Sequence, residues 1–422
     1  AETYSPWIQL SFKPGLGITV AGIARFYLMG IDPHVNLYMT PIHIDPENPA
    51  MPISHPQVYS IYLAKKLGPF ATLGLAEDTW ALNERVIDEK AFLQAAYDIS
   101  EEREKMFFDA LSRTQKGFMT TVFDTTDRIQ HMFYRYLDPT HPANEGKDRD
   151  LYKETIPEVY AHMDGLLGRI REKLDDDTVL MVISDHGFTN FRRGVNLNTW
   201  LFQNGYLVLK DGATTSGDWF EGLDWEKTKA FSLGLTGIFI NRKGREKSGI
   251  VEEGEEYDAL VAELKARLED LVDPEDGRKA VRRVVRAQLF FQGPYKMDAP
   301  DLLIGYEGGF RNSWECATGS VTETVFCDNT KSWSGDHCVD PNIVPGIFFC
   351  NKPIDIEKPH LMDLPTTVLQ LFGQKPPKYM QGRDIMTGTG EQAKGMLDPH
   401  SLDQSGSAPG ALIFEDSREE KG

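Results

Sequence analysis

One short segment of the sequence carries a carboxylate and an imidazole at a spacing that suits metal binding. It runs from Phe123 to His131, and within it Asp127 and His131 lie four residues apart. Helical side chains four residues apart leave the same face, so this pair can share one divalent ion. By itself such a pair is more often an ordinary surface contact. Arg128, between them, is expected to be an exposed helix residue rather than a substrate contact.

A second segment places two ionisable residues directly after an apolar run. Residues 178–183 form a β-branched run too short for a helix, and Ser184, Asp185, His186 and Gly187 follow it. Desolvating two adjacent ionisable groups at the end of a buried strand is costly unless a partner such as a cation compensates. The glycine permits a turn that lets its neighbours converge. The alternative interpretation is a capping aspartate beside a surface histidine.

A third segment, residues 333–338, holds a glycine-flanked histidine just before another apolar run. Together the three segments offer the mixed nitrogen and oxygen ligands that suit zinc first and manganese second, whereas calcium and magnesium prefer all-oxygen shells. We predict that the five candidate ligands converge on one centre. They are Asp127, His131, Asp185, His186 and His337. Asp336 and Ser184 are candidates for orienting the histidines.

Helical and strand-like patterns alternate around these segments, which predicts an α/β fold with a mostly parallel sheet sandwiched by helices. In such a sheet the reacting groups gather beyond the carboxyl ends of the strands. We predict helices at residues 89–113, from 127 onward, at 155–174 and at 363–373. We predict core strands at residues 117–124, 178–183, 301–305 and 344–349.

The segmentation predicted along the chain has four parts. Residues 1–189 form a core α/β part with the first candidate ligands, and residues 190–300 form an inserted, smaller α+β region. Residues 301–388 return to the core with the last candidate ligand. Residues 389–422 are rich in Gly, Ser, Asp and Glu, which predicts a mobile tail.

Composition limits the classes of partner. Forty-five basic and 64 acidic residues give a net charge of −19, which argues against a binder of nucleic-acid polymers or anionic membranes. No apolar run is long enough for a transmembrane helix. Four cysteines, Cys316, Cys327, Cys338 and Cys350, lie within 35 residues without a CxxC pair. They are compatible with one or two disulfides or with four reduced thiols.

The three segments, taken in order, resemble the alkaline phosphatase superfamily. DxxxH, then DHG after an apolar strand, then GxH near the C-terminus match the order in its nucleotide pyrophosphatase/phosphodiesterase and cofactor-independent phosphoglycerate mutase branches. The stretches 123–136 and 333–345, and the opening Ser5-Pro6-Trp7, are similar to bacterial and archaeal predicted phosphohydrolases or phosphomutases. The resemblance extends over nearly the whole chain up to the tail.

This resemblance implies a two-metal phosphohydrolase. Asp127, His131 and His337 would hold one metal ion, and Asp185 and His186 would hold the second. In the family the second metal takes two more ligands from upstream, an Asp and a Ser or Thr that is also the nucleophile. Residues 1–126 contain Thr40, Ser54 and Ser60, but none follows an apolar strand that ends in Asp. We therefore expect the nucleophile to come from a second polypeptide or a cleaved N-terminal segment that completes the fold.

Three function classes stay open at this stage. The chain could be a phosphodiesterase or phosphomonoesterase completed by another segment, a catalytically silent metal-binding structural subunit, or a phosphomutase. A mutase needs arginines that grip its substrate, and four arginines lie close together at positions 278, 282, 283 and 286. Sulfate ester cleavage ranks last, because the sulfatase nucleophile motif is missing. The absence of an initial Met and the clustered cysteines favour an extracytoplasmic location without establishing one.

Overall fold

A computed structural model describes residues 2–15, 17–289, 291 and 293–388 of the chain. These residues divide into two compact units. Unit 1 consists of residues 1–173 together with Asn329–Gly335, and unit 2 consists of Leu174–Asp328 and the chain from Asp336 onward. The four-part segmentation predicted above stays a prediction. Its tail, residues 389–422, lies outside the described residues.

The strands of unit 1 form two small antiparallel sheets in the first 44 residues. In one sheet β1 pairs with β2, and β2 pairs with β5; in the other, β3 pairs with β4. The strands are β1 (Ile8–Gly15), β2 (Ile18–Ala24), β3 (Phe26–Gly30), β4 (Asn36–Met39) and β5 (His43–Ile44).

The helices of unit 1 pack around a separate apolar core. They are α1 (Val58–Leu67), α2 (Thr79–Asn83), α3 (Glu89–Arg113), α4 (Thr125–Phe133) and α5 (Thr155–Arg171), with short 3-10 turns at Tyr134–Leu137, Pro142–Asn144 and Arg149–Leu151. The core includes Tyr27, Phe92, Met132 and Val159. The apolar positions of α3 recur at helical spacing, which is why its predicted bounds, 89–113, are confirmed.

The strands of unit 2 form mixed and antiparallel sheets. The four-stranded order β10-β11-β9-β8 is antiparallel throughout, β7 pairs in parallel with β12 and antiparallel with β13, and β6 pairs antiparallel with β15. The strands are β6 (Met181–Ile183), β7 (Thr189–Val195), β8 (Ala230–Leu233), β9 (Gly237–Ile240), β10 (Val281–Arg286), β11 (Leu302–Tyr306), β12 (Gly309–Asn312), β13 (Phe326–Asp328), β14 (Gly335–Asp336) and β15 (Phe348–Cys350). The last residue of unit 1 opens β14.

The helices of unit 2 are α6 (Leu197–Gln203), α7 (Glu255–Glu269), α8 (Trp314–Ala317) and α9 (Asp363–Leu371), with 3-10 turns at Lys210–Gly212, Ala287–Leu289 and Lys296–Asp298. The core of this unit joins α6 and α7 to the four-stranded sheet through residues such as Leu201, Leu264, Ile238 and Tyr306. In the described part of the chain, no helix combines the length and the hydropathy that crossing a bilayer requires.

An α/β fold agrees with this architecture, but a mostly parallel sheet is not confirmed. Among the described strands β7 and β12 form the parallel pair, and the other registered strand pairs run antiparallel. The predicted buried strand at residues 117–124 is wrong. This stretch has no strand partner among the described residues, and Phe118 and Val122 are 62% and 77% exposed. An apolar run becomes a strand only when a neighbouring strand accepts its hydrogen bonds.

Candidate metal centre

In unit 1, helix α4 brings Asp127 and His131 to one face, as their spacing predicts. The Nε2 atom of His131 lies 3.5 Å from Oδ1 of Asp127. The other ring nitrogen, Nδ1, lies 2.7 Å from the backbone carbonyl oxygen of Gly335. The imidazole is buried and packs against the Trp333 ring at a centroid distance of 3.8 Å. The histidine therefore has a defined orientation within unit 1.

The contact with Gly335 places a proton on Nδ1 of His131, because a backbone carbonyl oxygen only accepts hydrogen bonds. Nε2 is then the ring nitrogen that faces Asp127. The 3.5 Å separation from Asp127 is too long for a good hydrogen bond. It matches two ligands of one ion, because atoms about 2.1 Å from a tetrahedral zinc lie about 3.4 Å apart. The geometry thus fits the donor set of a metal half-site.

Arg128 is a partly buried ion-pair residue, so the expectation of an exposed helix arginine is wrong. Its side chain is 15% exposed, and its guanidinium donates to Oδ2 of Asp127. It also lies 3.7 Å from Oε2 of Glu77 and 3.6 Å from Oδ2 of Asp124. Arg103 pairs with the same two acids. Two arginines therefore compensate three carboxylates and hold one oxygen of Asp127.

Glu77 is the most deeply buried acid of this ionic network. Its side chain is fully buried, and burial raises the pKa of Glu77, against the opposing effect of Arg103 and Arg128. Glu77 lies far from helix α4 in sequence and belongs to no motif, so spacing alone offers no signal for it. The prediction from sequence missed Glu77 and Arg103 for that reason.

In unit 2, Asp185 and His186 lie just beyond the end of strand β6, after Ser184. Nδ1 of His186 lies 3.0 Å from the carbonyl oxygen of Gly187, and Nε2 lies 3.5 Å from Oδ2 of Asp185. The same logic places a proton on Nδ1, so that Nε2 is the ring nitrogen that faces Asp185. A side chain at Gly187 would stand 2.8 Å from the carbonyl oxygen of Pro345, so this position needs glycine. Both half-sites therefore show the same pairing of Nε2 with a carboxylate oxygen.

The third candidate histidine, His337, stacks on His186 in unit 2. The two rings are nearly parallel, with an interplanar angle of 11° and a centroid distance of 3.5 Å, and Phe188 contacts both through its edge. His337, Asp336 and Cys338 offer ligand atoms within 4.8 Å of one another. In unit 2, His186 thus contacts both Asp185 and His337. The convergence of all five candidate ligands stays a prediction.

The two candidates for orienting the histidines have different contacts. Asp336 is buried and accepts hydrogen bonds from the backbone N–H groups of His337 and Cys338 at 2.8 and 2.9 Å. The hydroxyl of Ser184 instead accepts a 2.9 Å hydrogen bond from the N–H of Ile347, so it links β6 to the segment before β15. Asp336 therefore fixes the backbone of His337, whereas Ser184 links strand β6 to the segment before β15.

Hydroxyl residues considered as nucleophiles have local structural contacts in unit 1. Thr40 accepts a hydrogen bond from the N–H of Arg25 at 3.0 Å. Ser54 donates to the carbonyl of Pro56 and accepts from the N–H of Ser60, and Ser60 contacts the carbonyl of Gln57. The contact of Thr40 links the residues that flank β3 and β4, and the contacts of Ser54 and Ser60 stabilise the turn before α1.

The sequence matches the model of one known protein family over most of its length. Residues 5–320 match the model of the family described as type I phosphodiesterase / nucleotide pyrophosphatase. This match extends over three quarters of the chain and includes the first two candidate ligand segments. No curated protein matches the sequence at a significant level.

Proposed function

Since this chain belongs to the type I phosphodiesterase/nucleotide pyrophosphatase family, and through it to the alkaline phosphatase superfamily, we propose that it takes part in metal-dependent hydrolysis of phosphoric esters. The substrate is a phosphodiester or a phosphomonoester. Two divalent metal ions are the proposed cofactors, with zinc first and manganese second, because the candidate ligands mix imidazole nitrogen with carboxylate oxygen.

The observation that carries this proposal is the repeated geometry of the two histidine–carboxylate pairs. In each pair Nδ1 faces a backbone carbonyl, and Nε2 lies 3.5 Å from a carboxylate oxygen. A carbonyl that holds Nδ1 orients the ring and exposes Nε2 as the ligand atom, which is the usual arrangement around metal-bound histidine.

The ligand sets proposed are those that the family resemblance implies. Asp127, His131 and His337 would hold one ion, and Asp185 and His186 would hold the other. When bound, such ions lower the pKa of a hydroxyl or water and offset charge on the phosphoryl oxygens. The chain has a net charge of −19, so an anionic substrate needs local positive charge of this kind.

We propose further that the nucleophile and the missing ligands of the second site come from a segment or chain that completes the fold. Thr40, Ser54 and Ser60 each make structural hydrogen bonds with the backbone, as described above. Strands β6 and β15 form an isolated two-stranded sheet in which Ile183 and Phe349 are 44% and 61% exposed. A two-stranded sheet with exposed apolar residues is marginal in water, which supports an added neighbouring strand.

Two alternatives receive different support. A catalytically silent structural subunit remains the second candidate, because no Ser or Thr nucleophile has been identified. A phosphomutase is disfavoured, because each arginine considered for gripping substrate already pairs with a carboxylate of unit 2. The pairs are Arg278–Asp276, Arg282–Glu307, Arg283–Asp340 and Arg286–Asp258.

Metal content tests the proposal directly. Protein purified without chelators should contain zinc or manganese, and changing His131 or His186 to Asn should lower the content by about one equivalent each. His34→Asn is the matched control, because His34 is exposed and belongs to neither pair. Less than about 0.2 equivalents of any transition metal in the unaltered protein contradicts the metal-binding hypothesis, given the affinities usual for such ligand sets.

Activity then separates the hydrolase from the silent subunit. The metal-loaded protein is assayed on an aryl phosphodiester, alone and with a co-purifying polypeptide. Activity that requires the second polypeptide supports the completed hydrolase. Metal binding without activity under either condition supports the structural subunit. Full activity of the chain alone, abolished by changing Thr40, Ser54 or Ser60, contradicts the proposed missing segment.

A further inference from the structure

We propose that Arg311 is a positioning residue that holds the imidazole of His337 in place through Asp336. The proposal concerns unit 2 alone. Its consequence for metal affinity rests on the proposed function, whereas its consequence for the orientation of His337 does not.

Arg311 is itself held rigidly. It lies on strand β12, where it is the register partner of Gly194 on the parallel neighbour β7. Its guanidinium carbon lies 4.8 Å from the ring centroid of Phe191 and 4.3 Å from that of Trp314. The side chain is 2% exposed, and Nη1 donates to the carbonyl of Asn312 at 3.3 Å. Aromatic rings and strand pairing therefore determine where this cation lies.

Asp336 connects the cation to the turn that carries the histidine. Its Oδ2 lies 2.7 Å from Nε of Arg311, and the two side chains are each 2% exposed. Its Oδ1 accepts the N–H groups of His337 and Cys338 at 2.8 and 2.9 Å. A buried ion pair has no water to replace a lost partner, so each charge constrains the other strongly. The carboxylate thus transmits the position of Arg311 to two successive backbone amides.

The imidazole of His337 is the end of this chain of contacts. With its backbone N–H fixed by Asp336, the ring stacks on His186 at 3.5 Å and meets the edge of Phe188 at 5.4 Å. A small rotation of the 336–338 turn would separate the two imidazoles. His337 is a proposed metal ligand, and partners that orient a ligating histidine typically contribute 10–100-fold to metal affinity.

A second buried arginine of unit 2 supplies a matched control. Arg193 on β7 is 8% exposed in its side chain, and its Nε lies 2.7 Å from Oδ2 of the fully buried Asp273. Its other acidic partners are Glu275 and Asp328. If Arg311 served stability alone, lysine at either position would leave the His337 ring equally undisturbed.

The experiment compares Arg311→Lys with Arg193→Lys in the full chain. Lysine keeps the charge but loses the planar fork that binds a carboxylate and stacks between rings. In metal-free protein, ¹H–¹³C NMR of the histidine rings should show displaced His337 and His186 signals in Arg311→Lys and unchanged ones in Arg193→Lys. Zinc affinity, measured with Zn²⁺ and a competing chromophoric chelator, should fall about 10–100-fold in the first variant and stay within about twofold in the second.

The NMR signals test the positioning role of Arg311, and the zinc affinity tests the proposed metal binding. Unchanged ring signals in a folded Arg311→Lys protein overturn the positioning role, whatever the zinc result. If the ring signals are displaced in Arg311→Lys but the unaltered protein binds no zinc, the positioning role holds and the metal-binding hypothesis is contradicted. If Arg311→Lys does not fold, Asp336→Asn repeats the test, because it keeps the Oδ1 acceptor and removes the charge.

Discussion

The histidines of this chain owe their chemistry to what each Nδ1 atom contacts. In His131 and His186 a backbone carbonyl holds Nδ1, so Nε2 faces a carboxylate. In His43 the roles are reversed, because Nδ1 accepts the N–H of Thr72 at 2.9 Å. An acceptor Nδ1 in a buried ring leaves no favourable place for a second proton. The same residue type is therefore a candidate ligand at two positions and a neutral structural group at the third.

His43 should make the stability of unit 1 depend on pH. Burial lowers the pKa of His43 from 6.5 to about 4. The unfolded chain therefore binds the extra proton first, so stability is complete above pH 6.5 and declines as pH falls toward 4. The full difference amounts to about 3 kcal/mol. Urea unfolding at pH 7.5 and pH 5 should show about 2 kcal/mol of this difference, and His43→Asn should flatten that part of the profile. An equal decline in this variant would assign the effect to other groups.

Gly335 should tolerate no side chain, because helix α4 packs directly against it in unit 1. A Cβ atom there would clash with the carbonyl oxygen of Gln130 and lie 2.8 Å from Cβ of Tyr134. We expect Gly335→Ala to lower the free energy of unfolding by about 1–3 kcal/mol. The control is Gly165→Ala on helix α5, where a Cβ atom meets nothing within 4 Å and alanine should be neutral or stabilising. Equal thermal shifts in both variants would contradict the packing argument.

At the scale of elements, helices and strands behave differently in this chain. Helices α3 and α9 have clear sequence patterns and form where these patterns predict them. Only three residues of the run at 178–183 form strand β6, and the run at 117–124 forms no strand. The polar residues that follow both runs belong to the candidate centre. The two apolar runs that form little or no strand are thus those that precede the candidate metal ligands.

The exposed face of β15 should contribute little to the stability of the chain alone. Phe349 is 61% exposed, so Phe349→Thr should change the free energy of unfolding by less than about 0.5 kcal/mol and reduce self-association. Phe310, which is fully buried, provides the contrast, and Phe310→Ala should cost about 3–5 kcal/mol. Urea unfolding and analytical ultracentrifugation measure the two effects. A large loss of stability in Phe349→Thr would show that this face is already covered.

For the whole molecule, two cores and a strongly acidic balance are the main features. Each unit has its own apolar cluster, and the buried ionic networks around Glu77 and Asp336 lie in different units. The net charge of −19 slows the association of anionic substrates unless the site itself is locally positive. The chain is stabilised by ordinary burial and ion pairing, whereas its proposed activity depends on added positive charge.

The cysteines should all be reduced thiols. All four are described, and no disulfide joins them; Cys316 is buried and Cys327 is exposed. A thiol reagent added to the folded protein should modify Cys316 only after unfolding, because modification needs access to the sulfur. Mass spectrometry after alkylation without reductant should find four modified cysteines in denatured protein. Two or fewer would restore the disulfide interpretation that the sequence left open.

What the sequence determined by itself is local in nature. Asp127 and His131 share a helical face because an α-helix repeats every 3.6 residues, and the identity of the family follows from the order of such motifs. Tertiary structure alone decided which nitrogen of His131 carries the proton, since its partner carbonyl lies 204 residues away. It also decided the pairing of Arg311 with Asp336 and the failure of the 117–124 run to form a strand. A helix satisfies its hydrogen bonds within itself, whereas strands, tautomers and buried ion pairs depend on groups that only folding brings near.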